Sequence, residues 1–129
     1  KKKTEMAIIC YGLLTTTHGN CTADIIVDAH VFPVGTGDEE YICSAAVSIE
    51  GIRLIKESLP ECLTILGLSN ISFGLTPAGR EVLNSVFLYH ATKAGLDYAM
   101  VNTEKLERYA SIPDEEKRLA DALLFETTQ

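Results

Sequence analysis

The stretch "LTILGLSNISFG", Leu63–Gly74, decides the fold. Leu63 to Leu66 make a short apolar run of the length a buried strand takes. The chain then turns small and polar at once, through Gly67, Ser69, Asn70 and Ser72. Two other runs share this form, "DIIVD" (Asp24–Asp28) and "YAMVN" (Tyr98–Asn102). Helical patterns lie between the three. Ile42, Ala45, Ala46, Ile49, Ile52, Ile55 and Leu59 recur at three- and four-residue spacing, and Pro60 stops that helix. Val82, Leu83, Val86, Phe87, His90 and Ala94 repeat the pattern, with Gly95 at the end. Met6, Ile9, Cys10, Leu13 and Leu14 predict an opening helix that closes near Gly19, and a last helix is expected from about Pro113, at a first helical position, to Leu124. Helix and strand alternate strictly, so the strands are expected to be parallel and joined by right-handed crossovers: an α/β fold with about three parallel strands and four helices.

The bulk properties narrow the function. The chain has 129 residues, which suggests one domain, and 47% apolar residues, enough for a core. A net charge of −7 argues against a nucleic-acid-binding surface, and Lys1-Lys2-Lys3 is too short a basic cluster to change that. No apolar run approaches the roughly 18–20 residues of a membrane span. The charged start leads straight into a helical pattern, so no signal peptide is expected. Cys10, Cys21, Cys43 and Cys62 match no zinc spacing and form no CxxC pair. Cys10 and Cys43 fall in predicted helices. Reduced cysteines and a cytoplasmic setting are the expectation.

The polar residues collect at one end of the expected sheet. Asp28, Ser69–Asn70 and Asn102 each lie at or just past the C-terminal end of a strand. In parallel α/β folds, and in eight-stranded barrels above all, ligands bind there. Asp and Asn also form turns readily, so position alone leaves both readings open. No GxGxxG follows the first strand and no GxxxxGK[ST] is present. "GTGDEE" (Gly35–Glu40) carries three acidic residues that would repel a phosphate, and it reads as a turn before an acidic first helical turn.

The run "LGLSNISFGLTPAGREVLNSVFLYHATKAGLDYAMVNTEKLERYASIP" (Leu66–Pro113) closely resembles the pterin-binding, methyltetrahydrofolate-binding domain of cobalamin-dependent methionine synthases. "DIIVDAHVFPVGTGDEE" (Asp24–Glu40) resembles the segment just upstream in that family, and the likeness is weakest from Gly12 to Ala23. The resemblance implies a TIM (β/α)8 barrel that binds methyltetrahydrofolate and presents its methyl group to cobalamin. A whole barrel needs roughly 250 residues. Residues 1–129 are therefore expected to be the C-terminal portion of the barrel, a partial TIM barrel. Its expected partners are the remaining barrel half and a cobalamin-binding domain of the parent enzyme. Catalysis by this chain alone is not expected, and a non-catalytic pterin-binding or assembly fragment is the alternative. A dihydropteroate synthase is a third reading, which the "GREVLNSVFL" run opposes.

The resemblance assigns roles residue by residue. It carries Asp28 onto an aspartate that grips the amino and ring N–H edge of the pterin, where a carboxylate accepts two parallel hydrogen bonds. It carries Asn70 onto the asparagine that reaches the methyl-bearing nitrogen. Gly67 and Ser69 fall on the supporting loop, Arg80 near the pterin and its tail, and Asn102 at the same mouth in a supporting role. An amide suits the task of Asn70 because it can donate or accept. It can follow the nitrogen from unprotonated to protonated form without carrying charge. The cobalamin ligand of these enzymes lies in another domain, so His18, His30 and His90 are not assigned it, and no cluster has metal-ligand spacing. His30 departs from the family's usual larger apolar or amide side chain and reads as a tolerated substitution, with proton donation the alternative. His90 reads as a core histidine and His18 as a helix-end residue.

Overall fold

Four α-helices alternate with three short strands in the computed structural model, which describes residues 2–126. They are α1 (Lys2–Gly12), β1 (Ile26–Asp28), α2 (Ser44–Ser58), β2 (Leu63–Gly67), α3 (Pro77–Ala94), β3 (Tyr98–Met100) and α4 (Asp114–Phe125). The strands form one parallel sheet in the order β1-β2-β3. Asp28 stands beside Ile65, and Gly67 beside Met100. This is the α/β arrangement of part of a (β/α)8 barrel.

The strands are shorter than their apolar runs. Asp24 lies in a 3-10 turn (Thr22–Asp24), and β1 starts at Ile26, although the Ile25 carbonyl already accepts from Leu63 N–H at 3.0 Å. β3 ends at Met100, leaving Val101 and Asn102 outside the ladder. Helix bounds move too. Cys43 caps α2 from outside, after turns over residues 39–43, so of the two cysteines placed in helices only Cys10 is within one. α3 reaches back to Pro77, with Thr76 Oγ1 accepting from Gly79 N–H at 3.4 Å, and it ends at Gly95 in the left-handed region (φ 109°). Pro113 sits one residue before α4, as its cap, and the acidic first turn of Asp114, Glu115 and Glu116 faces the positive end of the helix dipole. α1 runs into a wide helical turn (Leu13–Thr17) and closes at His18 and Gly19 (φ 69°).

Side chains alternate across a strand, and here the alternation divides the sheet into a covered and a bare face. Thr64 and Leu66 are fully buried, and Val27 and Ala99 pack against the core on the same side. The helices supply that core: Ile52 and Ile55 from α2, Leu83, Val86, Phe87 and Ala91 from α3, Ala120 and Leu124 from α4. On the other face Ile26, Tyr98 and Met100 are 51%, 50% and 54% exposed. Asp28, Ile65 and Gly67 belong to this bare face by register. A barrel turns such a face inward, where further strands would cover it.

At the N-terminal end of the strands the polar groups are tied together. Asp97 Oδ2 accepts from Lys56 Nζ at 2.9 Å, from Thr64 N–H at 2.8 Å and, at 3.2 Å, from the Thr64 hydroxyl. That hydroxyl also lies 3.2 Å from the Gly95 carbonyl and accepts from Asp97 N–H. Lys56 Nζ donates in addition to the Cys62 carbonyl at 2.9 Å. Burial pushes the Asp97 carboxyl up, but the Lys56 ammonium and the Thr64 donors outweigh it and hold it below its ordinary value.

The segment from β3 to α4 is pinned onto α3 by aromatic rings. Tyr89 and Tyr109 stack at 3.7 Å between centroids, 3° from parallel, with Lys93 Nζ over the first ring and Lys117 Nζ over the second. His90 lies at the α3–α4 seam, half-buried and not deep in the core. Its Nε2 is 2.7 Å from Asp121 Oδ1, and its ring meets Phe125 edge-on.

Candidate functional site

The rim at the C-terminal end of the sheet begins with Asp28, exposed on the bare face. Its Oδ1 accepts from His30 N–H at 2.9 Å, closing a short Asx turn. His30 holds φ 51°, a left-handed conformation that His tolerates better than most non-glycine residues. Its carbonyl accepts from Lys3 Nζ at 2.8 Å and from Ser48 Oγ at 2.9 Å. Burial lowers the Lys3 pKa, and the nearby Asp28 charge offsets part of that.

β2 runs directly into a 3-10 turn, Leu68–Ser72. Leu68 and Ile71 are fully buried, which anchors the turn from below and leaves Asn70 exposed at its crest. A Cβ at Gly67 would stand 3.7 Å from both Asn70 Nδ2 and Met100 Cε, so the Asn70 amide hangs over the bare face. Among the described residues its side chain has no hydrogen-bond partner, whereas the Ser69 carbonyl and the Ser72 hydroxyl are occupied. The Ser69 carbonyl accepts from Ser72 Oγ at 3.1 Å and from Arg80 Nη2 at 3.2 Å, and Arg80 Nε donates to Ser72 Oγ at 3.1 Å. Arg80 thus braces the turn from α3. Asn102 Oδ1 accepts from Glu104 N–H at 3.1 Å and caps the turn after β3.

Asp28, Gly67 and Asn70 therefore share one face and one end of two adjacent strands. Ser69, Arg80 and Asn102 line a separate cavity of about 260 Å³ behind the rim, with Asn84 and Lys105. Asp28 also borders a mostly apolar cavity of about 620 Å³ between α1, α2 and β1. Neither of these two cavities holds all six residues. Among the described residues no group of three His, Cys, Asp or Glu side chains is placed to hold a metal ion, and no helix is long and apolar enough to cross a membrane.

Sequence reasoning missed Lys3, Ser48 and Met100 at this rim. Ser48 carried a signal: it is a polar residue on the buried stripe of α2, between Ala45 and Ile52, and is itself fully buried. Lys3 carried none, since its partners are 27 and 45 residues away.

Comparison with known proteins adds two findings. A family model described as pterin binding enzyme matches residues 2–102. The chain is also 41% identical, over 126 residues, to the methionine synthase of Mycobacterium tuberculosis (strain ATCC 25618 / H37Rv), covering 98% of this chain and 11% of that protein. It is 40% identical to the methionine synthase of Mycobacterium leprae (strain TN), covering 98% of this chain and 10% of the relative. The chain spans about a tenth of the length of these relatives.

Proposed function

The chain belongs to the pterin binding enzyme family, and on that premise we propose that it is the methyltetrahydrofolate-binding portion of a methionine synthase, acting in methyl transfer from the folate to cob(I)alamin. One observation carries this reading: Asp28 and Asn70 stand exposed at the same end and on the same face of adjacent strands. A flat heterocycle laid across that face meets a carboxylate at one edge and an amide at another.

In this reading Asp28 accepts from the amino and N–H edge of the pterin. Its Oδ1 is already directed by His30 N–H, but a carboxylate has about four lone-pair sites, so both oxygens keep capacity for a ligand. Asn70 faces the methyl-bearing nitrogen. A tertiary amine is a poor leaving group, so that nitrogen must gain a proton or a hydrogen bond as the methyl departs. The Asn70 amide can accept from the protonated form and donate to the neutral one, and it is the catalytic residue here. Gly67 gives the ring room to approach, Ser69 and Arg80 hold the turn, and Asn102 shapes the neighbouring rim. Arg80 also lies beside the 260 Å³ cavity, which suits the folate tail. Cob(I)alamin, held by another domain, supplies the nucleophile that takes the methyl group.

The rest of the barrel and a cobalamin-binding domain are the proposed partners, and the proposed setting is cytoplasmic. The open sheet face favours a second reading: a pterin-binding or assembly portion without catalysis. Calorimetry separates the readings. Methyltetrahydrofolate is titrated into the chain, and into a mycobacterial methionine synthase whose matching segment is replaced by this chain. Binding and cob(I)alamin methylation by the chimera support the first reading. Binding without methylation supports the second, and no binding to either protein refutes both.

A further inference from the structure

Asp28 directs one carboxylate oxygen at His30 N–H, and His30 itself takes a left-handed backbone. A non-glycine residue there is strained and persists where its surroundings over-determine it. The surroundings are specific. Two side-chain donors from two helices converge on the His30 carbonyl, Lys3 Nζ from α1 and Ser48 Oγ from α2, and they touch each other at 3.1 Å. Ser48 is fully buried, so its hydroxyl cannot exchange this bond for water. Burial lowers the Lys3 pKa while Asp28 raises it, which puts the ammonium within electrostatic reach of the carboxylate. Ser44 extends the same brace by accepting from Phe32 N–H at 2.9 Å.

We propose that Lys3 and Ser48 are positioning residues for Asp28, acting through the His30 carbonyl to fix the turn that aims the carboxylate across the bare sheet face. The ligand-binding part of this proposal rests on the folate reading above; the backbone part does not. If the brace were only packing, its removal would loosen α1 and α2 without changing the turn. If it sets the turn, removal frees the His30 carbonyl, His30 relaxes to negative φ, and the loosened turn shifts as a whole, so that the carboxylate loses its N–H and its direction.

Two arms test this. In the chain without ligand, nuclear magnetic resonance reads the intraresidue amide–Hα Overhauser contact of His30, which is strong only at positive φ. Ser48→Ala and Lys3→Met should weaken it and speed His30 amide exchange by about five- to tenfold, as loss of one hydrogen bond implies. Exchange at Leu66, in β2, should stay as in the parent chain. Lys3→Arg, which keeps a charged donor, should restore the contact in part. An unchanged His30 signal in both variants overturns the proposal, as does a loss that spreads equally to Leu66. In the chimera, the same two variants should weaken methyltetrahydrofolate binding by about five- to tenfold. Undiminished affinity there, with Asp28→Ala impaired, overturns the positioning role but leaves the folate reading standing. Full affinity in Asp28→Ala itself overturns the folate reading, and the Overhauser arm alone then decides whether the brace sets the turn.

Discussion

The two ends of the sheet use the same kinds of residue in opposite ways. At the N-terminal end Lys56, Thr64 and Asp97 satisfy one another, and the Asp97 carboxylate accepts from three donors. At the C-terminal end Asp28 and Asn70 stand exposed, and the Asn70 side chain has no partner among the described residues. A polar group with its bonds made adds to stability. One held in place with bonding capacity to spare adds little, and it is ready for something else. In parallel barrels this division has a general form, with stability on the N-terminal side and chemistry on the C-terminal side.

Exchanging the two ends' behaviour breaks the comparison. Asn70→Ala should have the largest effect: methyl transfer in the chimera falls by roughly 10²–10³-fold, as for loss of a transition-state donor. Its thermal midpoint should hold. Transfer at the parental rate would remove Asn70 from the reaction. Asp28→Ala follows, weakening folate binding by about 1.5–3 kcal/mol, the worth of hydrogen bonds to a charged group, in a calorimetric titration. Asp97→Ala should do the reverse. Urea denaturation of the chain should show a loss of about 1–2 kcal/mol, because Thr64 N–H and Lys56 lose their acceptor, while folate affinity in the chimera stays the same. A loss of folate affinity without a loss of stability would erase the distinction between the ends.

The smallest effect is in pH. The Asp97 carboxyl is held below its ordinary value in the folded chain, so the unfolded chain binds the extra proton first. The stability it contributes is complete above the ordinary carboxylate range, near pH 4, and is lost as pH falls through the depressed folded value. Asp97→Asn should therefore differ most from the parent at neutral pH and converge with it in acid. Parallel stability curves down to pH 2 would show that the carboxylate charge contributes nothing.

Much of the architecture was legible because it is local. Pro60 and Gly95 mark helix ends through backbone restrictions that need no partner, and the alternation of apolar runs sets the parallel order. The strand ends were less legible. Asp24 and Asn102 fall outside the ladder because pairing depends on a neighbouring strand, and the runs themselves do not record where it stops. The start of α2 was read two residues early, since Ile42 continues the apolar spacing through a turn. At the site, Asp28 and Asn70 were found by their place after a strand. Lys3 and Ser48 were not, because their contact with His30 depends on α1 and α2 meeting above the turn.

The stacked pair Tyr89–Tyr109 gives the chain an optical handle. It contains five tyrosines and no tryptophan, so its near-ultraviolet circular dichroism comes largely from phenol rings, two of them face to face. Coupled transitions in such a dimer depend steeply on separation and angle. The spectrum consequently reports whether the segment between β3 and α4 lies against α3, with no label attached.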